Sequence, residues 1–156
     1  MKPRRDTTGK FIFEMTQPEK ILLNEVLTVY PLTSSTHHRL SKTARSVKHE
    51  ENQQLLEESL SAQREKNRKN VRALLDQSGH FSATSSGWDL ALSRTEIEWL
   101  LQVLNDVRVG SWIALGSPDP ERGRQVVIGE KTVPHFRMME LAGAFEMVFL
   151  DALKTG

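Results

Sequence analysis

The chain has 156 residues, 38% hydrophobic and 26% charged, with a formal net charge of +1 and no cysteine. A chain of this length buries roughly two-thirds of its unfolded surface, so one core is expected, and the balanced composition excludes whole-chain disorder and fibrous repeats. Without cysteine there can be no disulfide, zinc ribbon, thiolate cluster or Cys nucleophile, and a cytoplasmic home is the simplest expectation.

The first residues, Met1-Lys2-Pro3-Arg4-Arg5-Asp6, are basic, and the apolar run that follows, Phe11-Ile12-Phe13, is too short for a signal peptide. Residues 1–9 are therefore expected to be a disordered basic arm. No uncharged apolar stretch is long enough to span a membrane. Charge is uneven: residues 1–80 carry 14 basic and 10 acidic side chains, and residues 81–156 carry 7 and 10. Such asymmetry can mark a basic face.

Lys10 to Met15 has the composition of a short strand. Thr16-Gln17-Pro18-Glu19 then forms a capping box with proline in the first turn, which predicts a helix. Ile21, Leu22, Val26 and Val29 give it an apolar face, and Pro31 with the cluster Thr33 to Thr36 ends it. From about Leu40 to Gln77 there is neither glycine nor proline, and good helix formers dominate, so one long helix or two joined helices are predicted. Its apolar positions fall in three short patches: Leu40, Ala44 and Val47; Leu55, Leu56 and Leu60; Val71, Leu74 and Leu75. Glu65 and Lys69 can pair at i, i+4. The middle is polar enough to project into solvent or to need a partner. Ser78-Gly79 ends the helix before a loop to Ser86-Gly87.

A second capping box, Ser93-Arg94-Thr95-Glu96, opens a helix over about 93 to 116. Ile97, Leu100, Leu104, Val107, Ser111 and Leu115 share one arc facing the core, with Glu98, Gln102, Asn105 and Asp106 on the opposite side. Gly116-Ser117-Pro118 stops this helix. Gln125 to Ile128 can add a short strand pairing with Lys10 to Met15. Thr132 can cap a last helix, about 133 to 153, with Pro134 in its first turn. Of the 18 residues from Phe136 to Leu153, 13 are apolar, which marks this helix as the centre of the fold. Gly110-Ser111 and Ala142-Gly143-Ala144 are small enough to let the last two helices approach closely, a packing reason for mid-helix glycine. The predicted class is mainly α. It is a single domain over 1–156, a bundle of four to five helices with one long polar helix and a minor two-stranded β element.

Candidate site residues lie on these helices. Arg137, Glu140, Asp151 and Lys154 share a solvent edge, but Glu146 falls among apolar neighbours and Arg108 at the margin of the core arc. A buried carboxylate without a partner protonates, so an Arg108–Glu146 ion pair is expected, fixing helix register or, with Asn105, edging a pocket. Histidines give no metal site. His49-Glu50-Glu51-Asn52-Gln53 lacks the second histidine of a zincin motif, and His37, His38, His80 and His135 are expected as solvated surface groups. Phosphate-binding glycine loops and the G-x-S-x-G elbow are absent. Arg64, Arg68 and Arg72 stand at i, i+4 and i+8, flanked by Lys66 and Lys69, a row able to follow a phosphate backbone. Acidic neighbours and the lack of any aromatic between Tyr30 and Phe81 argue for a solvated face instead.

The segment Leu92-Ser93-Arg94-Thr95-Glu96-Ile97-Glu98-Trp99-Leu100, leading into Val103-Leu104-Asn105-Asp106-Val107-Arg108, resembles an uncharacterised bacterial family, common in actinobacteria and often encoded near the protease adaptor ClpS. The resemblance covers the C-terminal part only and implies a helical intracellular protein, with no established activity. Two functions are therefore expected ahead of others. The first is a non-enzymatic interaction or adaptor module that homodimerises by covering the long polar helix. The second is a small enzyme or ligand binder using an inter-helix pocket near Arg108 and Glu146. Nucleic-acid contact through the arginine stripe ranks third, and neither a cofactor nor a membrane is expected.

Overall fold

The computed structural model describes residues 1–33, 47–76 and 79–156. Strands β1 (Lys2–Arg5) and β2 (Phe11–Met15) lead into helix α1 (Gln17–Thr28). The long helix α2 (Val47–Asp76) precedes strands β3 (Phe81–Ala83) and β4 (Trp88–Leu92), helix α3 (Arg94–Ala114), a short 3-10 turn (Pro120–Arg122) and helix α4 (Val133–Lys154). The mainly helical class is as expected, but the β element is a four-stranded antiparallel sheet of order β1-β2-β4-β3, larger than the two strands expected.

Both capping boxes form. Thr16 accepts from the Glu19 backbone while the Glu19 carboxylate accepts from the Thr16 N–H, and Ser93 and Glu96 do the same at the start of α3. Each reciprocal pair satisfies two backbone donors that a helix start leaves without partners.

Three expectations about strands are corrected. Residues 1–9 are not a free arm, because Asp6 closes a tight turn onto β2: its carboxylate accepts from the backbone of Thr8 and Lys10, and Gly9 takes positive φ. Arg4 then reaches across two strands to Glu14 at 3.0 Å and Asp89 at 2.7 Å, an outer-face charge row that suits a proline-bearing edge strand. Gln125 to Ile128 forms no strand with any of the described residues. Both edges of β2 are taken by β1 and β4, and Val127 and Ile128 stand 78% and 67% exposed. The stretch expected as a loop before Gly87 holds β3, which pairs with β4 through a turn closed by Thr84 N–H to the Gly87 carbonyl.

The inner face of the sheet carries Phe11, Phe13, Met15, Leu90 and Leu92, all buried against the helices. Phe13 meets Phe149 of α4 edge-on, ring centroids 4.9 Å apart, a geometry worth about 0.5–1.5 kcal/mol beyond burial. Ile97, Leu100, Val103, Leu104 and Val107 bury one side of α3, and Ala142, Phe145, Phe149 and Ala152 bury one side of α4. α4 is thus apolar on more than its buried side, since Met147 and Leu150 remain exposed. Thr132 does not cap α4 with its side chain. Its hydroxyl bonds the Val127 and Gly129 carbonyls and accepts from the Gly129 N–H, holding the preceding turn.

The small residues proved to act differently. A Cβ on Gly110 would collide with Leu32 Cβ, so Gly110 admits the segment after α1, not α4. At Gly143 the nearest heavy atom to an added Cβ is Arg108 Cδ at 3.7 Å, ordinary contact. Ala142 is buried and Ala144 exposed, and Ser111 is buried with no partner for its hydroxyl among the described residues. Opposite signs follow. Gly110→Ala is expected to destabilise by about 1–3 kcal/mol through overpacking, whereas Gly143→Ala is expected to stabilise by up to about 1 kcal/mol through helix propensity. Urea denaturation of the two variants reads both, and effects of the same sign would refute this account.

Candidate functional site

The polar side of α3 is exposed at Glu98, Gln102 and Asn105, as the helical pattern implies, and it also borders α2. Gln102, Asn105, Asp106 and Val109 of α3 line one cavity with Leu60, Gln63, Arg64 and Asn67 of α2. With Tyr30 and Thr33 also in its wall, this cavity has a volume of about 300 Å³.

A chain of carboxamides holds this seam. Gln63 Nε2 donates to Asn67 Oδ1 at 3.1 Å, and Asn67 Nδ2 donates to Gln102 Oε1 at 3.2 Å. Asn67 is only 2% exposed, so an unmet hydrogen bond there would carry the full desolvation cost of about 1–3 kcal/mol. Asp106 anchors the chain after α1. Its Oδ1 accepts from the Leu32 and Thr33 backbone at 2.7 and 3.3 Å, and its Oδ2 accepts from the Thr33 hydroxyl. Burial raises the Tyr30 phenol above its ordinary pKa and the Asp106 charge adds to this, against a hydrogen bond to Asn67 and the charges of Arg64 and Arg68.

Asn105 joins the seam to the ion pair expected between the last helices. Arg108 Nη2 donates to Asn105 Oδ1 at 2.8 Å, and Arg108 Nε donates to Glu146 Oε1 at 3.3 Å. The pair is lopsided: the Glu146 side chain is 15% exposed and that of Arg108 45%. Burial raises the Glu146 pKa, with Arg108 pulling against it, so Arg108 compensates the carboxylate without restoring the hydration it lost. Asn105 lines the cavity, and Arg108 and Glu146 do not.

The arginine stripe is divided. Arg64 is half-buried and lines the cavity, Arg68 reaches Glu65 at 4.0 Å, and Lys66, Lys69 and Arg72 are exposed. Glu65 thus pairs at i, i+3 with Arg68, where Lys69 was expected. His80 is no isolated surface group, since its Nε2 lies 2.7 Å from Glu96 Oε1, beside the capping box. His135 is exposed, and His37, His38, Leu40 and Ala44 lie outside the described residues. Among the described residues no three His, Asp or Glu side chains gather to hold a metal ion, and no helix is long and apolar enough to cross a membrane. Compared with known protein families, curated proteins and solved structures, the chain matches none of them.

Sequence pattern missed Tyr30, Thr33, Gln63, Asn67, Gln102 and Asp106. The available signal was the i, i+4 spacing of Gln63 with Asn67 and of Gln102 with Asp106, uncharged or singly charged groups on otherwise heavily charged helix faces.

Two carboxylates here titrate in opposite senses. Burial opposes, but the Ser93 N–H and His80 overcome it, and hold the Glu96 pKa below its ordinary value. Its contribution is complete above the unfolded carboxylate pKa and is lost as pH falls through the lower folded value. Glu146, raised, costs stability above its folded pKa, and the cost is relieved as pH falls toward the ordinary carboxylate value. Glu96→Gln is accordingly expected to lower stability at neutral pH by about 1 kcal/mol and to flatten the acid limb. Glu146→Gln is expected to remove a decline in stability with rising pH. Thermal melts between acid and neutral pH check both, and identical profiles for the two variants would rule the assignment out.

Proposed function

We propose that the protein is a non-enzymatic interaction module that pairs with a second copy of itself through α2. The observation that carries this is the uneven cover of that helix. Its 30 residues make it about 45 Å long, yet its buried side chains among the described residues are Asn67, Val71 and Leu74, all in its last third. Leu55, more than four turns before Val71, is 63% exposed.

Charge favours a second copy over an unrelated partner. Residues 47–60 carry one lysine against four glutamates, and residues 61–76 carry five Lys and Arg against one Glu and one Asp. Two α2 helices laid antiparallel set the acidic half of each against the basic half of the other, whereas parallel pairing sets like on like. The same segregation weakens a nucleic-acid reading, since the basic half is short, continues into acidic turns, and gives up Arg64 to the cavity. The likeness of residues 92–108 to a bacterial family often encoded near ClpS is in keeping with an intracellular adaptor, and assigns no chemistry.

Analytical ultracentrifugation tests the proposal. A dimer is expected at micromolar concentration, weakening as salt screens the antiparallel charges. Leu55→Asp is expected to leave the melting temperature of the body unchanged and yield monomer, because Leu55 touches solvent in the single chain. A wild-type chain that stays monomeric at every concentration and salt would overturn it.

A further inference from the structure

The seam between α2 and α3 mixes polar side chains with Leu60 and Val109 around one cavity. α3 meets α4 and the sheet through Ile97, Leu100, Leu104 and Val107, but meets α2 through Gln102, Asn105 and Asp106 across an open cavity of about 300 Å³. Asn67 is buried in this seam, while Gln63, Gln102 and Asn105 stand exposed around the same cavity, so buried and accessible amides converge on one space. A few convergent polar groups of that kind can fix a ligand's orientation.

The lining says what kind of ligand. Its carboxylate is already used, since both Asp106 oxygens accept from Leu32 and Thr33. Its cation is not. Arg64 is half-buried and has no carboxylate at salt-bridge distance among the described residues. A guanidinium in a partly desolvated wall, with no such carboxylate among the described residues, is a donor set for a planar, bidentate acceptor. Around it the carboxamides of Gln63, Gln102 and Asn105, with the Tyr30 hydroxyl, offer donors and acceptors in mixed order.

We infer that this cavity binds a small carboxylate-bearing molecule, of amino-acid to dipeptide size, whose carboxylate pairs with Arg64 and whose amide or hydroxyl groups bond Gln63, Gln102 and Tyr30. The site lies within one chain and does not require the chain to self-associate.

Tyr30 is the single tyrosine of the chain and lines the cavity, so 3-fluorotyrosine places one ¹⁹F reporter at the site. Succinate, citrate and N-acetylglutamine are titrated separately into the full chain. At least one is expected to shift the signal saturably. Arg64→Gln is expected to weaken that response at least about tenfold, the scale of losing a charge-assisted bidentate contact. Lys66→Gln, an exposed charge two residues away, is expected to leave it unchanged. Gln102→Met removes a lining amide without touching Arg64 and is expected to weaken binding too, which keeps the inference testable should the Arg64 variant fold poorly. The inference is overturned if none of the three shifts the signal saturably, if both lining variants titrate like the wild type, or if chloride and inorganic phosphate give the same curves.

Discussion

Burial of one side of α3 is the interaction on which the remaining structure depends. Ile97, Leu100, Val103, Leu104 and Val107 are all fully removed from water, and each such side chain contributes about 1.5–3 kcal/mol of transfer free energy. They meet α4, α1 and the inner face of the sheet in one cluster with Phe13, Leu23, Leu90 and Phe149. Because that side fixes the rotation of α3, its opposite side is presented to α2 at a set angle. The seam between α2 and α3 therefore need not hold α3 in place, and so can be polar. Glu96 supports the arrangement at the N-terminus of α3, where one carboxylate serves the Ser93 N–H and His80 together.

What the sequence reveals and hides follows from how local each cause is. Both capping boxes are readable because donor and acceptor lie three residues apart, and the apolar arc of α3 is readable because it repeats at helical spacing. The sheet is harder. Lys2-Pro3-Arg4-Arg5 has no alternation of polar and apolar residues, and becomes a strand only through a turn built by Asp6 and an ion pair to Asp89, 85 positions away. β3 has three residues, too few for a period of two to register. On α3 the polar arc was legible as polar, but nothing in a single helix distinguishes a side that faces water from one that faces the amides of another helix. Arg108 and Glu146 were legible as a pair because a lone carboxylate on an apolar face requires a partner, although the exposure of Arg108 depends on where α4 ends up.

The arginine row on α2 shows why spacing alone misleads. Arg64, Arg68 and Arg72 repeat every four residues, so each is turned about 40° from the last, and a row aligned in sequence drifts around the helix. Arg64 has reached the cavity, while Arg72, by Leu27, Thr28 and Val71, flanks the end of α1. A straight phosphate backbone would meet only part of such a row.

The carboxamides also settle where α2 sits along its axis. Val71 and Leu74 alone would hold the helix by apolar contact, which tolerates small shifts. Asn67 does not tolerate them. A slip of one residue rotates it by about 100° and breaks its bond to Gln102 across the seam, leaving a buried amide short of a partner. Buried amides act this way in coiled coils, where one asparagine specifies register at some expense of stability. With Asn67 fixed, Leu55 is carried to a fixed point about 18 Å further along the same rigid helix. The polar seam is thus a weaker grip than an apolar one but a more exacting one, and it sets the position of the exposed half of α2 relative to the body.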